Sequence, residues 1–470
     1  PRPTPEQVRV IEHPLSSVLV VAGAGSGKTE TMASRVVWLV VNGLVPPESV
    51  LGLTFTRKAA GELAERIARR LRGVAAAGLR AGGEGAGGEV AGGEGDGGGE
   101  GRGSEGGQAD PGLGGFVGPT VSTYNAYAGR LVSEHGLRLG VEPDSTLLGE
   151  ALAWQLADAC VAAYDGPMDL VDRAPTTVTQ AVLSLSGQMS EHLRDLPEVG
   201  EYLAQVVARI EAMPLTPGKR TVPQEVRDLA ARCRATEQLL PLVAAYRARK
   251  RELTALDFAD QVEIAARLAL EQPATARAER RAFDVVLLDE FQDTSEAQMR
   301  LLRALFAERP DLADAPVPVM AVGDPHQSIY GWRGASSTTL SSFPRLFGAG
   351  GEDTPVLPLS TSWRNDEAIL ACANAIAAPL SEASPVRVER LVPSPLAGEG
   401  VVQIGRWAHV EAEAEAVADW VARHWWSDEE NGERSGNTAA VLCRRRAQFP
   451  AVIQALGARG MQVEVVGLGG

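Results

Sequence analysis

Ala22-Gly23-Ala24-Gly25-Ser26-Gly27-Lys28-Thr29, entered from Val18-Leu19-Val20-Val21, is the stretch that decides the fold class. Four consecutive apolar residues running into glycines read as a short buried strand, a tight loop and then a new helix. In that arrangement backbone N–H groups wrap a β-phosphate and the helix dipole favours its charge. Lys28 would reach the β- and γ-phosphates, and Thr29 would hold Mg2+. The general pattern asks for Gly at the first position, where this chain has Ala22. A glycine turn without a ligand does not account for the Gly27-Lys28-Thr29 ending or its flanks.

Downstream, Asp289-Glu290 directly follows Val285-Val286-Leu287-Leu288, which sets two carboxylates at the carboxyl end of a buried strand. A phosphate-loop sheet positions its metal and attacking water there. Asp289 is therefore assigned to the Mg2+ shell and Glu290 to polarising the water that attacks ATP. Adjacent acids after an apolar run also decorate helix N-termini, so the phosphate loop is what gives this pair its meaning. Upstream, Thr4-Pro5-Glu6-Gln7 reads as a capped helix start. Gln7 has two compatible readings: the partner of Thr4 in a capping box, or an amide that reads the adenine edge.

At 470 residues the chain exceeds one ordinary core and should divide into two to four lobes. A hydrophobic share of 44% without any apolar run of about 20 residues indicates a globular chain with no membrane partner. No signal peptide is legible before the first helix, and the first residue is Pro1, so a cytoplasmic location within a longer protein is expected. Cys160, Cys233, Cys372 and Cys443 lie far apart with no metal-ligand spacing, and reduced buried thiols are expected. The formal charge of −15 argues superficially against nucleic acid. Much of that acid sits in segments that need not touch DNA.

Along the chain, a second strand is expected from Val50 to Phe55, running into Thr56-Arg57-Lys58 and a helix with Leu63, Ile67 and Leu71 on one face. Arg66, Arg69, Arg70 and Arg72 occupy its other faces. From Gly73 to Gly118 the sequence is Gly, Ala and Glu with almost no aliphatic residue, and is read as a flexible insertion. Helical pattern dominates from about Ser145 to Leu270, consistent with an all-α lobe set into an α/β domain. Strands return at Val285–Leu288 and Val317–Val322. Beyond Ser362 a new α/β unit is expected, with strands at Ala439–Cys443 and Val463–Val466 and a helix at Phe449–Leu456.

Asp289-Glu290-Phe291-Gln292-Asp293-Thr294, joined to Gly323-Asp324-Pro325-His326-Gln327-Ser328-Ile329-Tyr330-Gly331-Trp332-Arg333-Gly334-Ala335, resembles the UvrD/Rep/PcrA family of superfamily 1 helicases. The order agrees: Gln7, the Ala22–Thr29 loop with the leading Ala usual in this family, Thr54-Phe55-Thr56-Arg57-Lys58-Ala59-Ala60, Thr123-Tyr124-Asn125, Asp257-Phe258, and Ser362-Trp363-Arg364. The resemblance implies a P-loop RecA-like parallel-sheet domain with an inserted all-α lobe, followed by the start of a second RecA-like domain. The corresponding boundaries are 1–120 (with 73–118 the insertion) and 276–361 for the first domain, 121–275 for mostly the lobe, and 362–470 for the second.

Carried over by position, Gln327 resembles the glutamine that senses the γ-phosphate, and Arg364 the arginine that reaches it across the cleft. Trp363 stands where an aromatic packs on adenine. Tyr330 and Trp332 resemble aromatics that stack on single-stranded bases, worth about 1–3 kcal/mol per base; an isolated Tyr-x-Trp would otherwise be a core feature. Arg333 fits either nucleotide–strand coupling or a structural salt bridge. Thr56, Arg57, Lys58, Thr123 and Tyr124 fall at DNA contacts, although many members carry Asn for Arg57, and Thr123-Tyr124-Asn125 departs from the usual Thr-Phe-His. The family continues with a second inserted lobe and further motifs, including another arginine finger, so this stretch alone is expected to bind nucleotide better than it turns it over. A finer likeness is to AdnB-type, RecB-like helicase–nuclease subunits, which implies a second subunit, single-stranded DNA and duplex ends as partners, and a role in double-strand-break repair. The implied activity is an ATP-dependent 3′–5′ DNA motor. The rivals are a nucleotide- and DNA-binding regulatory subunit without productive translocation, and a small-molecule phosphotransferase, which would have no use for Tyr330 and Trp332 beside Gln327.

Overall fold

The computed structural model describes residues 2–82, 118–214, 221–329, 331, 338–425 and 438–466. Helix α1 (Pro5–Ile11) leads into β1 (Val18–Ala22), α2 (Lys28–Val41), β2 (Val50–Thr54), α3 (Arg57–Gly82), β3 (Thr120–Thr123) and α4 (Tyr124–His135). The first part of the segment read as flexible is instead helical, since α3 continues through residues 73–82. Its Val74-Ala75-Ala76-Ala77 run has the propensity to extend a helix already nucleated upstream. The rest of that insertion, residues 83–117, lies outside the described residues.

After α4 the chain passes through β4 (Thr146–Leu147) into α5 (Glu150–Ala162), α6 (Pro175–Glu191), α7 (Leu196–Glu211) and α8 (Gln224–Glu252), and returns through β5 (Ala255–Leu256). β4 and β5 pair in parallel, Thr146 beside Ala255, so the helical lobe leaves and re-enters at one neck. Its interior is its own: Val178, Val182 and Met189 of α6 pack with Leu242, Val243 and Tyr246 of α8 and Ala157 of α5. Helices α9 (Phe258–Glu271) and α10 (Pro273–Ala282) then deliver the chain to β6 (Val285–Leu288), α11 (Glu296–Phe306), β7 (Val319–Gly323), α12 (Thr339–Leu346) and β8 (Val356–Leu359).

Six strands form one sheet in the order β3-β2-β6-β7-β1-β8, every neighbour parallel. Parallel order follows from helical crossovers, which carry the chain back to the start of each next strand. Both faces are covered, and the period-2 alternation of β1 shows how. Leu19 and Val21 point into a core shared with α4, α9, α11 and α12, while Val18, Val20 and Ala22 point into a second core shared with α1, α2 and α3. Leu63, Ile67 and Leu71, the stripe expected on α3, belong to that second core. This is the RecA-like α/β architecture.

β9 (Thr361–Ser362), α13 (Glu367–Ala383) and β10 (Val392–Pro393) complete the first compact unit, which extends to Gly400 rather than ending at 361. The reason is pairing: β10 lies parallel to β9, and residues 359–364 hydrogen-bond the phosphate loop and α1. In the second unit, α14 (Val410–Trp425) packs Ala414, Ala418 and Val421 against Ala455 and Leu456 of α15 (Phe449–Gly457). The strands expected at Ala439–Cys443 and Val463–Val466 do not form; among the described residues neither segment has a ladder partner, and a strand without neighbours leaves its backbone groups unpaired. The four cysteines are unpaired, and no helix of the described residues is long and apolar enough to cross a membrane.

Candidate nucleotide site and strand path

The carboxyl ends of the parallel strands lie along one crest, and the sequence-expected nucleotide residues lie there. Ala22 closes β1 fully buried, and Lys28 opens α2. Gly25 takes φ +74°, and a Cβ there would stand 2.7 Å from Arg364 Cβ and 2.8 Å from Ser362 Oγ. A side chain is therefore excluded twice, by backbone conformation and by contact. Ala24, Gly27 and Thr29 complete the loop and the first turn of the helix, with Gly27 O accepting from Thr31 N and from Thr31 Oγ1.

Lys28 Nζ lies 2.8 Å from Glu290 Oε2. Glu290 itself adopts φ +47°, a left-handed conformation that costs of order 1–3 kcal/mol for a non-glycine residue and re-aims the chain sharply after β6. The 3-10 turn Phe291–Asp293 then folds back, so that Gln292 Nε2 donates to Glu290 Oε2 at 2.9 Å and Gln292 Oε1 accepts from Asp324 N at 2.9 Å. Asp324 Oδ2 in turn accepts from Gln327 Nε2 at 2.7 Å. Lys28, Glu290, Gln292, Asp324 and Gln327 thus form one hydrogen-bonded line across the ends of three strands. Gln292 and Asp324 were not singled out for a role from the sequence, because their importance lies in partners far away in the chain.

Asp289 is nearly fully buried, and its carboxyl is pushed up to about 6 by that burial and by the neighbouring Glu290 charge, with Lys28 opposing. Asp293 is pushed up to about 6 for the same two reasons. Three carboxylates therefore share one ammonium, an excess of negative charge that a divalent cation would offset. Ser26 Oγ and Asp293 Oδ1 are buried without a hydrogen-bond partner. A hydroxyl donor in the phosphate loop and spare carboxylate oxygens at the strand end fit a phosphate chain with its Mg2+.

The capping-box reading of Gln7 has a direct structural counterpart. Its backbone N donates to Thr4 Oγ1 at 3.2 Å and its Oε1 accepts from Thr4 N at 3.0 Å, completing the capping box. The same amide turns Nε2 to Ser26 O at 3.4 Å, so helix α1 touches the phosphate loop. Arg35 fixes that helix from α2: its guanidinium donates to the carbonyls of Val10, Ile11, His13 and Pro14, and burial lowers it to about 10 without removing its charge near neutrality. Trp363 N donates to Gly25 O at 2.8 Å, and its ring edge reaches Gly27, while Arg364 is exposed beside the loop.

The expected strand path is only partly within the described residues. Thr56, Arg57 and Lys58 are exposed at the start of α3, on the same crest. Thr123 Oγ1 caps α4 by accepting from Ala126 N at 3.1 Å. Tyr124 corrects the expectation of a DNA contact: it is 4% exposed, and its hydroxyl donates to Asp289 O at 3.2 Å. Its ring belongs to the core, where packing against the sheet outweighs any exposed role. Tyr330, Trp332 and Arg333 lie outside the described residues. Phe258, by contrast, presents an exposed aromatic ring at the start of α9, just after the capping residue Asp257.

The family model described as the UvrD/REP helicase N-terminal domain matches residues 3–348. The chain belongs to the UvrD/REP helicase family. It is similar to the ATP-dependent DNA helicase UvrD1 of Mycobacterium tuberculosis, 26% identical over 467 residues, which cover 98% of this chain and 49% of that protein. It is also similar to DNA helicase II of Escherichia coli, 26% identical over 371 residues, covering 79% of this chain and 39% of that protein. The ATP-dependent DNA helicase PcrA of Leuconostoc citreum is 25% identical over 371 residues, with 79% and 38% covered. The chain spans half or less of the length of these relatives.

Proposed function

We propose that this chain is the ATP-hydrolysing front part of a DNA helicase motor that moves 3′–5′ on single-stranded DNA. The observation that carries the reading is the line from Lys28 through Glu290, Gln292 and Asp324 to Gln327 at the strand ends. It joins a phosphate-loop cation, a carboxylate partly open to solvent and the glutamine assigned to the γ-phosphate. Thr29 and Asp289 are the residues that would hold Mg2+, which when bound neutralises charge on the transferring phosphoryl oxygens. Glu290 takes the proton of the attacking water, Lys28 moves from Glu290 to the phosphates, and Gln327 and Arg364 read the γ-phosphate. Gln7 and Trp363 frame the adenine.

Thr56, Arg57, Lys58, Thr123, Tyr330, Trp332 and Arg333 are assigned to the strand path, and the exposed ring of Phe258 is added to them as a base-stacking face. A second helicase–nuclease subunit, duplex ends as substrate and a role in break repair belong to the same proposal, on the AdnB-type likeness, and a cytoplasmic location is proposed alongside them.

The test is steady-state ATP hydrolysis by the full-length protein, with and without single-stranded DNA, for wild type and Glu290→Gln. Strong DNA stimulation that disappears in the variant is expected. Turnover indifferent to DNA, or to the substitution, would replace the motor with a nucleotide-binding regulatory subunit.

A further inference from the structure

Helix α13 is held in an unusual way. Leu370 is its only buried side chain among those described, while Ile376 and Leu380 are exposed. What fixes it instead are polar ties at three points, the first at its start, where Glu367 N and Ala368 N donate to Gly398 O and Glu399 O. Near its middle, Asn374 pairs with the backbone of Leu391 on both sides: Nδ2 donates to Leu391 O at 2.8 Å, and Oδ1 accepts from Leu391 N at 3.0 Å. Near its end, Ser381 Oγ lies 3.3 Å from His326 Nε2, the residue next to Gln327.

The Asn374 clamp copies a strand pairing and sets the backbone of Leu391 just before β10. The side chain so presented packs on the first glycine of the phosphate loop. A Cβ added at Gly23 would overlap Leu391 Cδ2, so the contact is as close as the missing side chain allows. Gly23 N meanwhile donates to Leu359 O at 3.3 Å, and Trp363 N holds Gly25 O. Besides the touch of Gln7 on Ser26 O, the loop is therefore shaped from outside by residues 359–364 and by Leu391. An asparagine that only satisfied a loop would not need to aim an apolar side chain at a phosphate-binding glycine.

We propose that Leu391, set by Asn374, is a positioning residue for the phosphate loop, and that α13 links the state of that loop to the His326–Gln327 turn. The inference rests on the nucleotide-site reading above. Leu391 pre-organises the cradle, and a cradle formed in advance binds its phosphates more tightly.

Titration of the full-length protein with a fluorescent ADP analogue, together with steady-state kinetics in ATP, tests it. Leu391→Ala is expected to weaken nucleotide binding on the order of tenfold and to raise KM, with kcat at saturating ATP held. Leu391→Met, which keeps the reach, should restore binding. Asn374→Asp should match Leu391→Ala, because a carboxylate cannot donate to Leu391 O, and the double variant should lose no more than either single one. Unchanged or tighter binding in Leu391→Ala overturns the proposal, provided Lys28→Ala abolishes binding. Additive losses in the double variant remove Asn374 from it. Binding indifferent to Lys28→Ala would instead overturn the site reading itself.

Discussion

Lys28 Nζ and Glu290 Oε2 stand 2.8 Å apart, so the phosphate-loop cation and the carboxylate assigned to water activation neutralise one another. The pair is reached from opposite directions, one partner at the start of α2 and the other just past β6, and both must exchange partners when phosphate arrives. Glu290→Gln keeps the shape and removes the base. Turnover should fall about 10²–10⁴-fold, the usual worth of a positioned general base, while nucleotide affinity holds. Lys28→Ala should lose both. Parallel measurement of kcat and of nucleotide Kd separates the two; equal loss of affinity in Glu290→Gln would mean the carboxylate serves binding instead.

Gln292 is almost fully buried and uses both ends of its amide, on Glu290 and on the backbone of Asp324. Gln292→Leu leaves the Asp324 N–H unpaired in the interior, at about 1–3 kcal/mol. The expected result is a lower Tm and a lower kcat, with nucleotide Kd close to wild type. Calorimetry and kinetics on one preparation check it; an unaltered kcat would show that Glu290 keeps its orientation without this bond.

Tyr124 offers a direct test of core against strand contact. Tyr124→Phe removes one hydroxyl from Asp289 O and should cost about 1 kcal/mol of stability with no change in single-stranded DNA affinity. A loss of DNA affinity without a change in Tm would restore the ring to the strand path.

His13 lies where Arg35 gathers the carbonyls that end α1, and burial, with Arg35 nearby, holds its imidazole below the usual value of 6.5. The folded protein therefore favours the neutral ring. Its contribution is fully present above about pH 6.5 and is lost as pH falls through that value towards the lower folded one. His13→Asn should flatten this part of the acid limb in thermal unfolding between pH 7 and pH 5. An unaltered limb would place the titration elsewhere.

Much of the site was legible because its chemistry sits in contiguous strings. Ala22–Thr29 and Asp289–Glu290 each follow an apolar run, and the run tells which edge of the sheet they occupy. Gln292 could be quoted but not understood, since its meaning is a bond to Asp324, just past the end of the neighbouring strand β7. Tyr124 misled because an aromatic that opens a helix after a strand reads alike whether it turns inward or outward. The strands expected at Ala439–Cys443 and Val463–Val466 show a different limit: a residue pattern states a willingness to pair, and only a neighbour converts it into a ladder. Leu391 carried no signal at all, because nothing in its local sequence announces that a glycine loop lies beneath it.

The β4–β5 neck has a consequence of its own. Because Thr146 and Ala255 lie side by side, the chain that leaves for the lobe at one returns beside it at the other, while α6 rests on α9 and α11 and Arg247 reaches Glu263. A helical module of another length fits the same place if its ends meet at that spacing and it keeps a face for α9 and α11, and no strand of the main sheet then changes its neighbour.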